Sequence, residues 1–246
     1  MNKFALITGA AGGVGRAVAA RLAAQGWQLI VTSRNAEHLT AAFGDQHLQV
    51  AADCSTVAGA RHILQVAKEH QMLPTALAHC VGNIRLGAMH RMSEADFNNC
   101  LSANLISAFH TLSAFIGGLR EARSPGAAVL VSSAAARIGT PNHEAVAAAK
   151  AGLEGLVRGA AASYAANSIR INAVAPGIME TPASAGIIAS PAARESAARQ
   201  YPLPGIGSPD ELAELMVWLL SESAARVTGQ VWSLDGGFSS IRPLVK

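Results

Sequence analysis

The sequence predicts one α/β domain: a Rossmann-like, doubly wound, seven-stranded parallel sheet with helices on both faces. Three observations predict it. Short β-rich apolar runs alternate with longer stretches of helical periodicity from one end of the chain to the other. The runs are too apolar to keep one face in water, as in a parallel sheet covered on both sides by right-handed crossovers. The first run ends in a glycine-rich turn that opens a helix, the strand–turn–helix order suited to a bound diphosphate.

In chain order, residues 4–8, 28–32, 47–51, 75–80, 127–132, 169–175 and 230–234 read as strands. Between them, residues 16–25, 57–70 and 94–119 carry helical periodicity, with Ser93 and Asp96 placed as an imperfect capping box. Alanine and glycine thicken over 145–166, a helix whose small residues suit close packing against another helix and make it the first candidate for a subunit interface. Residues 177–209 break the rhythm with five prolines around a short helical piece at 192–200, and read as a lid over a site. With no repeat and no linker, residues 1–246 form one domain.

Composition narrows the function classes. The chain has 246 residues, 50% apolar and 14% charged, enough for the core of one large domain. Its formal charge is +3, but Lys and Arg are scattered singly without an aromatic-interleaved stripe, so no nucleic-acid partner is expected. No uninterrupted apolar run approaches the ~18 residues of a membrane span, and the N-terminal apolar stretch is too short for a secretion signal. Three cysteines without a C-x-x-C pair, and no His cluster at ligand spacing, predict neither disulfide nor metal and a cytoplasmic location.

The candidate site begins at Thr8-Gly9-Ala10-Ala11-Gly12-Gly13-Val14-Gly15. Glycine there admits positive φ, lets a diphosphate approach the backbone and packs helix closely on strand. The free amides at the helix start face the anion. Asp53, with Cys54 beside it, closes the third strand.

The spacing T-G-x-x-x-G-x-G resembles the short-chain dehydrogenase/reductase family, and further motifs follow in that family's order over the whole chain. The resemblance implies a nicotinamide-dependent oxidoreductase acting on a small-molecule carbonyl or hydroxyl. It places Thr8, Gly9, Gly13, Val14 and Gly15 at the diphosphate, Asp53 and Cys54 at the adenine, and Val81 and Gly82 along the cofactor. It makes Asn104, Ser133 and Lys150 catalytic, with Lys150 also holding the ribose, and brings Pro176, Gly177 and Thr181 to the nicotinamide. Where relatives that prefer NAD carry an Asp, this chain has Ser33-Arg34, which favours NADP, with NAD or FAD as alternatives.

Two departures fall in the nicotinamide half. The family's catalytic Tyr, thirteen residues after the Ser and four before the Lys, is Val146 here. After the fourth strand, N-N-A-G is replaced by His79-Cys80-Val81-Gly82. A substitute acid is sought in His143, on the helical face of Val146 and Lys150, or in Tyr201 of the lid. Glu144 points elsewhere, Tyr164 reads as packing, Cys80 as a small hydrophobe and His79 as a hydrogen-bonding replacement for Asn. Three functions stay open: an oxidoreductase with an altered proton donor, a dinucleotide-binding sensor or partner without turnover, and a lyase, isomerase or dehydratase.

Overall fold

The structure, a computed structural model, describes residues 3–242. Its sheet consists of β1 (Phe4–Thr8), β2 (Gln28–Ser33), β3 (Leu48–Ala51), β4 (Ala76–His79), β5 (Gly126–Val131), β6 (Ile169–Pro176) and β7 (Val231–Leu234). They lie in the order β3-β2-β1-β4-β5-β6-β7, each pair parallel. The helices are α1 (Gly13–Ala24), α2 (Ala36–Phe43), α3 (Val57–Glu69), α4 (Glu94–Leu101), α5 (Ser107–Glu121), α6 (Glu144–Tyr164), α7 (Pro191–Ala198) and α8 (Pro209–Leu220).

Strand alternation sorts the apolar residues into two layers. Ala5 and Ile7 of β1, with Leu29 and Val31 of β2, join Val18 and Leu22 of α1 and Leu212 and Met216 of α8. Leu6 and Ile30 point the other way, to Ile63 of α3, Leu112 and Phe115 of α5 and Leu153 and Val157 of α6. Each fully buried large aliphatic side chain contributes roughly 1.5–3 kcal/mol, so both faces hold the sheet. The order reverses beside β1, which pairs with both β2 and β4, and a crevice opens at the carboxyl ends there.

The expected helix over 94–119 is two helices. A π-turn, Ser102–Ile106, separates α4 from α5. Side chains explain the widening: Asn104 Nδ2 donates to the carbonyl of Cys100 at 2.9 Å, and Ser107 Oγ to that of Ala103 at 2.7 Å. Both compete for carbonyls the helix would otherwise use. The continuous run Glu94–Glu121 is long and apolar enough to cross a membrane, but Leu112, Phe115 and Leu119 lie buried in the sheet's core. The box at the start of α4 is half formed. Ser93 Oγ accepts from Asp96 N at 3.1 Å, while the Asp96 carboxylate accepts from Ser93 Oγ at 2.9 Å instead of from the backbone.

The segment expected as a lid leaves the sheet as a non-repetitive excursion carrying α7. Its two ends pair, Glu180 N donating to Gly207 O at 2.8 Å and Gly207 N to Ile178 O at 3.1 Å. Arg194 of α7 donates twice to Glu180, at 2.8 Å each. The short helix starts at Pro191, capped by Ser190 Oγ accepting from Ala193 N.

Candidate functional site

The crevice beside β1 is a cleft of about 690 Å³ lined by Gly9, Gly12, Ser33, Arg34, Asp53, Gly82 and neighbouring residues. Gly9 has φ +67°, and a Cβ on it would stand 2.8 Å from the carbonyl carbon of Cys80. A Cβ on Gly15 would meet the Gly9 carbonyl at 2.4 Å, so only glycine lets the first turn of α1 sit on the strand end. Val14 packs its side chain against the core. The Thr181 methyl rests 3.0 Å from where a Gly13 Cβ would be, which brings the base of the lid onto the glycine turn.

At the far end of the cleft, Asp53 Oδ1 accepts from the amide and hydroxyl of Ser55 at 2.9 and 2.7 Å. The Ser55 hydroxyl, helped by the Arg34 guanidinium, holds the Asp53 carboxyl below its usual range. Cys54 lines the same wall but its side chain is buried, and burial pushes its thiol up to about 11. Ser33 Oγ accepts from Asn35 N at 3.4 Å.

The π-turn positions the second group of residues. Asn104 is fully buried; its Nδ2 donates to Asn83 Oδ1 at 2.9 Å, and its Oδ1 accepts from Asn83 N at 3.3 Å. A Cβ on Gly82 would lie 2.6 Å from Asn104 Oδ1 and 3.2 Å from Lys150 Nζ, so this glycine keeps the two side chains close to the strand end. Lys150 Nζ donates to the Val131 carbonyl at 2.7 Å. The ammonium carries three protons, so two remain for a bound molecule. Burial pulls the Lys150 pKa down to about 8. Ser133, half-buried at the end of β5, accepts from Ala135 N at 3.2 Å through Oγ.

His79 serves as the hydrogen-bonding residue expected. Ser107 Oγ spends its proton on Ala103 O, so it accepts from His79 Nε2–H at 3.2 Å, and His79 Nδ1 then accepts from Thr8 Oγ1 at 2.8 Å. Burial, reinforced by Lys150, pushes the His79 pKa down to about 3, so the ring is neutral at ordinary pH. Thr8 therefore turns its side chain into the sheet interior and braces the π-turn through His79 instead of lining the cleft. Burial also pushes the Cys80 thiol up to about 12, which suits a small hydrophobe.

Of the substitute acids, Tyr201 is corrected. Its Oη accepts from Ile178 N at 2.7 Å, its ring packs 5.2 Å from that of Phe238, and burial raises its pKa, so it braces the Pro176–Gly177 turn and is not free to swing. His143 is the residue before α6, half-buried, with Nδ1 donating to Pro141 O at 2.8 Å. Val146 is 4% exposed, packed with Cys100, Ala145 and Met92, one turn before Lys150. Tyr164 packs against the second core layer. Asn83 was not singled out from sequence, although its place directly after Gly82 was the available signal. Among the described residues, no group of three His, Cys, Asp or Glu could hold a metal ion.

A family model described as enoyl-(acyl carrier protein) reductase matches residues 9–239. The chain is 31% identical to cis-4-hydroxycyclohexanecarboxylate dehydrogenase of Sinomonas cyclohexanicum, over 98% of both chains. It is also 31% identical to a 3-oxoacyl-acyl-carrier-protein reductase of Thermotoga maritima, over 96% of this chain and 97% of that one. Among solved structures, a Tyr-to-Phe variant of ElxO with NADPH bound superposes with a TM-score of 0.91 at 26% identity, covering 98% of this chain and 100% of that one.

Proposed function

The chain belongs to the short-chain dehydrogenase/reductase family of oxidoreductases, and from that premise we propose that it is an NADP-dependent reductase of small carbonyl compounds whose proton donor is Lys150. The observation that carries the proposal is the buried Lys150 ammonium, with one backbone acceptor and the Asn104–Asn83 pair beside it, where the family's phenol is missing. A bound nicotinamide dinucleotide supplies the hydride.

The glycine turn and Gly82 leave the room such a cofactor needs, and Arg34 and Asp53 stand at the adenosine end. Ser133 Oγ keeps its proton to donate to a substrate oxygen, since its one bond is as an acceptor. Lys150 gives a proton to that oxygen, directly or through one water, as negative charge develops there. The Asn104 amide, fixed at Cys100 and Asn83, keeps the π-turn open behind it. Gly87 N donates to Asn142 O at 3.1 Å, which ties the loop after β4 to the start of α6 and leaves Ile84, Leu86 and Met89 exposed on that loop, side chains suited to an apolar carbonyl substrate. The NADPH bound in ElxO, a solved structure this chain is similar to, supports NADPH as the cofactor.

Cofactor choice is checked by calorimetry. NADPH is expected to bind at least ~10-fold more tightly than NADH, because Arg34 can pair with the 2′-phosphate. Arg34→Ala is expected to remove that preference and leave NADH unchanged. Equal affinities in the parent protein would overturn the NADP reading.

The same family frame suggests a homo-oligomer. Phe109 is 51% exposed on α5 in the groove between α5 and α3, α6 carries an Ala- and Gly-rich run, and the Trp218–Trp232 pair stands exposed on α8 and β7. Light scattering is expected to give a tetramer, and a monomer at micromolar concentration would contradict it.

A further inference from the structure

We propose that Glu154 is a positioning residue for Ser133: its carboxylate fastens both sides of the segment that carries Ser133 to the helix that carries Lys150. The inference rests on the reductase reading and assigns that reaction a residue that does not line the cleft.

The starting point is a carboxylate where the core would take an apolar side chain. Glu154 is 6% exposed on α6, flanked along the helix by Leu153 and Val157 of the second core layer. Burying a carboxylate costs desolvation that its partners offset only in part, and an apolar residue of similar volume often serves stability as well or better. The partners of Glu154 give it a different use. Its Oε1 accepts from Ser132 Oγ at 2.9 Å and from Arg137 Nε at 3.3 Å. Ser132 precedes Ser133, and Arg137 follows the short 3₁₀ turn Ala134–Ala136, so one oxygen holds the chain on both sides of the reacting hydroxyl. Arg158, exposed one turn further on, reaches the other oxygen at 3.9 Å.

Lys150 lies one turn before Glu154 on α6, and its Nζ donates to the carbonyl of Val131, directly before Ser132. Two successive turns of one helix therefore grip residues 131–137, the first through Lys150 and the second through Glu154. The sheet holds the same segment from its other side. Ser132 N donates to Val174 O of β6 at 2.7 Å, and the Arg137 guanidinium reaches on to Val231 O and Ser233 Oγ of β7, at 3.2 and 3.4 Å. Ser133 Oγ accepts only from Ala135 N, a contact within its own turn that does not set where the turn sits against α6. Glu154 supplies that reference, and a shift of about 1 Å in a reacting group can cost ~10²-fold in rate.

Glu154→Leu removes the acceptor at similar volume, whereas Glu154→Gln keeps an amide oxygen that can take both bonds. Glu154→Leu is expected to lower kcat for carbonyl reduction ~10- to 100-fold. Its NADPH affinity by calorimetry is expected to stay within ~3-fold of the parent, which also shows that it is folded. Glu154→Gln is expected to recover kcat to within ~3-fold of the parent. Arg137→Leu, at an exposed position, removes one donor and is expected to lower kcat ~3- to 10-fold. A double-mutant cycle with Ser133→Ala distinguishes positioning from general loosening. The two losses are expected to be non-additive by ~5-fold or more, because without the hydroxyl there is less to misplace. Amide exchange over residues 132–137 gives a readout that needs no turnover, and it is expected to be ~10-fold faster in Glu154→Leu than in the parent. An additive cycle, or parental kcat with parental exchange in Glu154→Leu, would overturn the role of Glu154 alone. A parent that binds NADPH and reduces no carbonyl would overturn the reductase reading and, with it, any part for Glu154 in reduction.

Discussion

Val146→Tyr is expected to raise the rate of reduction of activated ketones by ~10-fold or more, ~1.4 kcal/mol of barrier. Val146 and Lys150 share the buried face of α6 at 4% and 6% exposure, so a phenol at 146 would stand one turn from the ammonium. General acid catalysis by a positioned group is worth ~10²- to 10⁴-fold, and the new phenol would recover part of it beside Lys150 and Ser133. The ring must displace the Cys100–Ala145–Met92 packing. Met92 is unbranched and adaptable, and overpacking of this kind costs roughly 1–3 kcal/mol, so the melting temperature should fall while NADPH binding persists. Calorimetry and steady-state rates on the same preparation check both. A variant that binds NADPH and reduces no ketone faster would mean that the pocket serves another reaction.

Removing the ammonium should have the opposite and larger effect. Lys150→Met is expected to lower kcat/KM for carbonyl reduction by ~10²- to 10⁴-fold. If Lys150 donates as the proposed acid, activity in the parent is expected below its pKa and to be lost as pH rises through about 8. Lys150→Arg separates charge from proton donation. Its guanidinium keeps the positive charge but does not release a proton, so activity should stay low with no alkaline limb near that value. A Lys150→Met variant with parental kcat/KM and an unchanged pH profile would show that the proton comes from elsewhere.

The sheet was legible because its signals are periodic and local. Ala5, Leu6 and Ile7 alternate between the two apolar layers, and the glycine turn follows β1 where expected. The interruption at Ser102–Ile106 was not legible. It depends on side chains of Asn104 and Ser107 taking carbonyls of the preceding turn, which leaves the hydrophobic period unchanged. The cleft was legible where residue type sets the local geometry, as at Gly9 with its positive φ and at Gly15 with its close approach to the strand end. It was not legible where role depends on a long-range partner. Tyr201 has the chemistry of an acid, but its hydroxyl is held by Ile178 N, 23 positions back in the chain. His79 was legible as a hydrogen-bonding residue, but its partners Thr8 and Ser107 lie 71 and 28 positions away. Asn83 gains its role from Asn104.

Hydride transfer itself is the central claim, and it is read most directly by isotope. The purified protein is incubated with NADPH deuterated at the transferring position of the nicotinamide and a panel of activated apolar ketones, and the alcohol products are weighed by mass spectrometry. One deuterium at the carbinol carbon, formed at a rate that falls as pH rises through about 8, is the predicted result. Tight NADPH binding with no deuterium in any product would contradict it, and would leave a dinucleotide-binding protein without reductase turnover.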